Sequence, residues 1–276
     1  MKKALLFTLF LGCFLYTRQL VAQVSIAPTT VFIDQNGIGS LFITNPGDTP
    51  QEISVSFVFG YPGNDETGEL TMVYGDSLME KQFGMGDRLR AFPRTFILAP
   101  QQQQTVRLQV RPDRSLPNAT YFTRVKVTSN AQTPDVEQTN TEGVSTQVNF
   151  KFDQVIAAFQ KVGEVSTGLE FGEVKVEEKE GKLRVIPEFK VTGNSPYLGS
   201  VTATLKDSAG KVLAEQQQTV ALYFSGKRAV EMTIPENIRN DVHLVELTYE
   251  TRRSDIPSGD LVQAPTVSKS VILSIR

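Results

Sequence analysis

The chain has 276 residues, of which 28 are lysine or arginine and 30 are aspartate or glutamate, so its formal net charge is −2 at neutral pH. A charge balance this close to neutral, without a basic stripe, excludes an ordinary nucleic-acid-binding surface. The single cysteine, Cys13, excludes a disulfide scaffold, so the fold must be held together by burial of apolar side chains.

Residues 1–22 have the pattern of a secretory signal peptide. Lys2 and Lys3 precede the apolar run ALLFTLFLGCFLY, which is too short to span a bilayer, and a small-residue cleavage point follows at Ala22. A lipoprotein signal with Cys13 as the lipidated residue is the alternative, but apolar residues continue beyond that cysteine. The sequence therefore predicts an exported chain without a lipid anchor.

Beyond the predicted signal peptide, apolar residues alternate with polar ones in short runs. A period of two places apolar side chains on one face of a β-strand and polar ones on the other, whereas no long segment shows the helical period. The strands predicted in the first half of the chain lie within residues 53–59, 106–110, 121–127 and 148–152. Those predicted in the second half lie within residues 182–194, 199–216, 229–235, 242–252 and 268–275.

Turn-forming residues separate these runs. Proline, glycine, asparagine and aspartate tolerate turn dihedral angles, and they cluster in QNG (35–37), NPGD (45–48), YPGND (61–65), RPDRSLPN (111–118) and DSAG (207–210). Pro100 is predicted to end one strand, glutamines 101–104 to form an exposed connection, and Thr105 to begin the next strand. The polar residues 129–143 are predicted to form a long exposed loop.

Many short strands with this punctuation are typical of β-sandwiches. The strand pattern pauses near Gly163 and then starts again, and each side is long enough for a domain. The sequence therefore predicts an all-β fold with two immunoglobulin-like β-sandwich domains in tandem, at residues 23–162 and 163–276.

The segment LRAFPRTFILAPQQQQTVRLQVRPDRSLPNATYFTRVKV, residues 89–127, resembles the periplasmic pilus-assembly chaperones of the PapD-like type. Residues 24–57 resemble the first strands of the same family. The family pattern has a proline before a short strand, then L-x-P, a polar turn, Q-T-V-R-L and a later L-P. In this chain these residues are Pro93, Leu98, Pro100, Gln104, Thr105, Val106, Arg107, Leu108, Leu116 and Pro117.

The resemblance implies a periplasmic chaperone with a PapD-like N-terminal sandwich that acts by donor-strand complementation. In that mechanism the chaperone lends a strand to a pilus or other surface subunit that lacks its own, and an outer-membrane usher is a further partner. The lent strand would begin near Val144, and its client-binding side chains would be Val148, Phe150 and Phe152.

The family also grips the terminal carboxylate of the subunit with an arginine and a lysine. Thr30 stands where the arginine is expected, and Lys151 is the candidate carboxylate anchor, although another register puts Ile156 at the lysine position. The resemblance therefore implies a divergent member with a different client. As the alternative, Phe150 and its neighbours face the core of their own domain, and Lys151 is an ordinary solvated lysine.

The sequence contains few parts of a catalytic or metal site. His243 is the only histidine, so neither a zinc site of ordinary ligand number nor a histidine-based triad is predicted. We therefore expect no enzyme activity and no cofactor, and a partner that is neither nucleic acid, metal nor small molecule. The alternative function is a structural or adhesive immunoglobulin-like module of the cell surface, and a two-carboxylate hydrolase is the enzymatic alternative.

Overall fold

The computed structural model describes residues 24–131, 150–179, 181–235 and 242–274. Within these ranges it contains nineteen β-strands, one short α-helix and one 3₁₀ turn. The predicted all-β fold class is confirmed, because the strands form two β-sandwiches that follow one another along the chain. The predicted signal peptide, Cys13 and Val148 lie outside the described residues.

The first sandwich packs a four-stranded sheet against a five-stranded sheet. In spatial order, the four-stranded sheet consists of β1 (Ser25–Ala27), β3 (Ile38–Thr44), β9 (Gln103–Val110) and β7 (Leu89–Phe92). The five-stranded sheet consists of β2 (Thr30–Ile33), β11 (Lys151–Val162), β10 (Ala119–Ala131), β4 (Gln51–Val58) and β8 (Thr95–Leu98).

The core of this sandwich is built from the apolar members of the alternating runs. Leu41 and Val106 come from one sheet and Ile53 and Val125 from the other, and all four are fully buried. Each fully buried aliphatic side chain contributes about 1.5–3 kcal/mol. The period of two read from the sequence therefore identifies the residues that join the two sheets.

Two boundaries predicted for this sandwich are wrong. Gln103 and Gln104 belong to β9 rather than to the connection before it, because they pair with Thr44 and Ile43 of β3. Strand β10 likewise runs on to Ala131 and includes the first residues of the predicted polar loop. In both places pairing with a neighbouring strand extends the ladder into residues whose side chains alone favour a loop.

The segment YPGND does not form the predicted turn. Residues 60–64 are the strand β5 (Gly60–Asn64), which pairs with β6 (Leu70–Tyr74) as a separate two-stranded hairpin. The turn lies at residues 65–69, where the Asp65 carboxylate accepts hydrogen bonds from the N–H groups of Thr67 and Glu69. Pro62 is tolerated in β5 because this strand lies at the edge of its sheet.

A short helix, α1 (Ser77–Phe83), follows the hairpin and was not predicted. Asp76 caps its N-terminus, since its carboxylate accepts a hydrogen bond from the N–H of Met79 and another from the Tyr61 hydroxyl. These hydrogen bonds, with that of Met79 the strongest, hold the pKa of Asp76 below its usual value. Seven residues are too few to give a helical stripe in the sequence.

The second sandwich also contains two sheets. One consists of β12 (Thr167–Lys179) and β13 (Lys182–Gly193), with β16 (Ser225–Lys227) and β17 (Val230–Thr233) both paired to β13. The other consists, in spatial order, of β15 (Val212–Leu222), β14 (Tyr197–Lys206), β18 (Val242–Glu250) and β19 (Val267–Ser274). The turn predicted at DSAG connects β14 to β15 and is confirmed, while His243 is buried on β18.

A third apolar cluster joins the two sandwiches. Phe122 of β10 lies at its centre, with ring centroids 5.3 Å from Phe59 and 4.7 Å from Tyr223 of the second sandwich. Next to it, the Thr120 hydroxyl donates to the Ser195 hydroxyl at 2.7 Å in a buried position. The connection between β11 and β12 spans residues 163–166, and the division into domains at residue 163 stays a prediction.

Candidate functional site

Strand β11 has one edge that is only partly paired. Along its whole length it pairs with β10, but on the opposite edge β2 pairs only with residues 157–160. No described strand pairs with residues 151–156 on that edge. From this part of β11, the side chain of Gln154 makes a hydrogen bond outward, in which its Nε2 donates to the carbonyl oxygen of Val24 at 2.6 Å. Within the described part of the chain, half of β11 thus has a strand partner on one edge only.

The two predicted aromatic residues beside this edge are exposed. Phe150, just before β11, is 66% exposed, Phe152 is 40% exposed, and their ring centroids lie 6.3 Å apart in a stacked arrangement. They share a strand face with Ile156 and Ala158, which are buried in the first core. Beyond Gln154, which interrupts it, this face of β11 thus carries two further apolar side chains, and neither ring is a core residue of the described fold.

The register separates Lys151 from Thr30. The Cα partner of Thr30 is Ala157, whereas that of Lys151 is Asn130 on the other edge of β11. Six strand residues span about 20 Å, so Lys151 and the position of Thr30 lie too far apart to hold one carboxylate between them. Ile156, the residue in the alternative register, is apolar and buried in the first core, and its side chain points to the face of β11 opposite that of Ala157.

A cleft between the two sandwiches lies on the other face of β11. It has a volume of about 280 Å³ and is lined by Val155, Ala157, Thr30, the β5–β6 hairpin and the end of β15. Three arginines also line it: Arg124, Arg228 and Arg253. Arg253 is paired with Asp255, but neither Arg124 nor Arg228 forms an ion pair within the described ranges. The cleft therefore carries uncompensated positive charge.

Arg124 is held in place by its neighbours in the cleft. Its Nε donates to the carbonyl oxygen of Gly60 at 3.1 Å, and its Nη2 donates to the Tyr223 hydroxyl at 3.4 Å. Burial raises the pKa of Tyr223 to about 12, although nearby Arg124 opposes the shift. The hydroxyl therefore keeps its proton, and because it accepts from Arg124 that proton can be donated to an anion.

Sequence reasoning pointed to the segment that contains β11, but it did not indicate this cleft. Arg228 and Arg253 belong to loops of the second sandwich, and no local pattern indicates that these loops lie over β11. The described residues contain no group of three histidine, aspartate or glutamate side chains that could hold a metal ion. The same ranges contain no helix of the length and hydropathy that a membrane span requires.

Comparison with known proteins gives structural similarity without sequence matches. No protein-family model and no curated protein sequence matches the chain. Among solved structures, the YadV chaperone is 13% identical, with a TM-score of 0.46, and covers 91% of this chain and 100% of its own. The Escherichia coli chaperone DraB is 14% identical, with a TM-score of 0.41, and covers 92% of this chain and 98% of its own. The CsuC–CsuE chaperone–tip adhesion subunit complex of Acinetobacter baumannii gives 11% identity and a TM-score of 0.43, with coverages of 90% and 98%.

Proposed function

We propose that the protein is a periplasmic chaperone or assembly factor that lends the edge of β11 to an incomplete β-sandwich subunit of a pilus or other surface structure. The observation that supports this proposal is the edge of residues 151–156, with which no described strand pairs, beside the exposed rings of Phe150 and Phe152. Main-chain hydrogen bonds along such an edge provide affinity, and alternate side chains provide fit.

The free energies expected from these contacts suit a reversible complex. Burial of Phe150 and Phe152 against a client would contribute about 1.5–3 kcal/mol each. Each added strand hydrogen bond would contribute about 0.5–1.5 kcal/mol. An exposed ion pair at Lys151 would add only about 0–1 kcal/mol. Strand pairing and ring burial therefore account for most of the expected affinity.

Replacement of both rings by aspartate should strongly weaken client binding. The double variant Phe150→Asp/Phe152→Asp loses two apolar contacts and puts two charges into the pairing edge, so recovery of the client should fall at least about 30-fold, which is roughly 2 kcal/mol. The measurement is affinity purification of the full chain from periplasmic extract, with the bound protein identified by mass spectrometry and quantified.

Phe42→Asp is the matched control, because Phe42 is 39% exposed and lies on β3 in the opposite sheet. It should leave client recovery unchanged. If the double variant recovers as much client as the wild-type protein, strand lending is contradicted. Stable incorporation of the protein into a surface fibre would favour the structural or adhesive module instead.

We further infer that Arg124, rather than Lys151, holds an anionic group of the client, such as a chain-terminal carboxylate. Arg124→Gln should weaken client binding about tenfold, since one charge-assisted hydrogen bond is lost. The difference between Arg124→Gln and wild type should shrink in high salt. Arg90→Gln, on an exposed residue of β7 in the other sheet, is the control. A tenfold loss with Lys151→Gln but none with Arg124→Gln would reverse the assignment.

A further inference from the structure

Strand β6 carries an exposed apolar face. Leu70, Met72 and Tyr74 alternate along it and are 56%, 42% and 48% exposed, respectively. Because strand residues two apart share a face, these three side chains point the same way. Such an apolar row on an edge strand favours association and is normally blunted by charged residues.

The hairpin that carries this face is fixed at both ends. At its base, Tyr61 stacks on Tyr223 at 5.9 Å between centroids and meets the edge of Phe224 at 5.0 Å. At its tip, Arg184 of β13, whose side chain is buried, donates to the Glu69 carboxylate and to the carbonyl oxygen of Thr67.

The tip is fastened further by the second sandwich. Arg184 also pairs with Glu177 and Glu231, and the N–H of Ala229 donates to the carbonyl oxygen of Gly68 at 2.9 Å. The carboxylate of Glu69 thus joins a charge cluster centred on one buried guanidinium. The exposed apolar row is therefore a rigid surface rather than a loosely attached loop.

Part of this row faces β11 across the cleft. Leu70 and Met72, with Pro62 and Asn64 of β5, line the same cavity as residues 155–157. Thr71 lies on the opposite face of the hairpin, is exposed and does not line the cavity. A polypeptide that pairs with the free edge of β11 thus passes beside the two apolar side chains of β6.

We propose that Leu70 and Met72 form a second wall of the client-binding site. This inference rests on the proposed function. The occupant is an extended segment of the client, with apolar side chains directed at β6 and an anionic group directed at Arg124 and Arg228. The unpaired charge of these arginines and the exposed apolar row border one cavity, so a segment with both features matches both parts of its lining.

Site-directed cross-linking tests the arrangement. Cys13 is the only cysteine and lies in the predicted signal peptide, so Met72→Cys, Thr71→Cys and Phe152→Cys each introduce a unique thiol into the exported full chain. Each variant carries a thiol-linked photo-cross-linker and is exposed to periplasmic extract before illumination. The cross-linked partner is then identified by mass spectrometry.

Met72→Cys and Phe152→Cys should cross-link the same protein, and Thr71→Cys should give at least tenfold less product. If Phe152→Cys captures a partner but Met72→Cys gives no more cross-linked product than Thr71→Cys, Leu70 and Met72 are not part of the client-binding site. The proposal of strand lending would then still stand. If Phe152→Cys captures no partner, strand lending fails and the second wall fails with it.

A loss-of-contact variant gives an independent measurement. Leu70→Ser/Met72→Ser should lower recovery of the partner captured through Phe152 by about tenfold, because two apolar contacts are removed. Thr71→Asp should leave that recovery unchanged. Recovery equal to wild type with the double serine variant would overturn the proposal.

Discussion

Phe122→Ala should lower the free energy of unfolding by about 4 kcal/mol, the typical cost of removing a buried phenylalanine ring. Phe122 is almost fully buried, and its ring contacts Phe59, Phe83, Phe159 and Tyr223. Truncation therefore opens a cavity at the point where the two sandwiches meet. Urea denaturation followed by circular dichroism measures the change, with separate transitions for the two sandwiches resolved where they occur.

Phe150→Ala is the matched control, because Phe150 is the most exposed phenylalanine among the described large apolar residues. Its effect on unfolding should stay within about 0.5 kcal/mol. A cost below about 1.5 kcal/mol for Phe122→Ala would show that the site collapses around the missing ring. The junction would then not be the rigid core that the structure describes.

The junction cluster also bears on the proposed client site, because it sets the positions of the walls of the cleft. Phe122 and Phe159 lie on the strands that carry Arg124 and Ala157, while Tyr223 follows β15 in the second sandwich. These rings pack together, so the arginines and the free edge of β11 keep a fixed separation. Binding at the proposed site would then require little ordering of the protein, which would reduce the entropic cost of association.

The sequence alone predicts the strands well because burial of one face imposes a period of two. Val125 and Val127 are buried while Arg124 and Lys126 are half-buried, as their alternation predicts. The same pattern predicts Phe150 and Phe152 as one apolar face. It does not say whether that face meets its own core or a client, because alternation is identical in both cases.

Features that depend on distant contacts could not be predicted in this way. Gln103 lies in a strand because β3 is beside it, and Pro62 lies in a strand because β6 pairs with it. Arg228 reaches the cleft only because the second sandwich packs against the first. Each of these placements is decided by tertiary packing, which overrides the local preference of the residue.

Asn45→Ala should lower the free energy of unfolding by about 3 kcal/mol, because it leaves several buried polar groups without partners. Asn45 is almost fully buried. Its Nδ2 donates to the carbonyl oxygens of Thr49 at 2.8 Å, Leu98 at 3.1 Å and Ala99 at 3.3 Å. Its Oδ1 accepts from the N–H of Gly47 at 3.0 Å. One amide thus fastens the β3–β4 turn to the end of β8.

Asn36→Ala separates this effect from the loss of any turn asparagine, because Asn36 is exposed and its side chain donates only to Asp34 among the described residues. That variant should change the unfolding free energy by less than about 0.5 kcal/mol. Asn45→Asp keeps the shape of the side chain but puts one acceptor oxygen in place of Nδ2, facing three carbonyl oxygens, so it should destabilise at least as much as Asn45→Ala. If Asn45→Asp were instead as stable as wild type, shape rather than hydrogen bonding would hold the turn. Since none of the hydrogen bonds of Asn45 among the described residues reaches β11, folded molecules of either variant should bind the client like wild type.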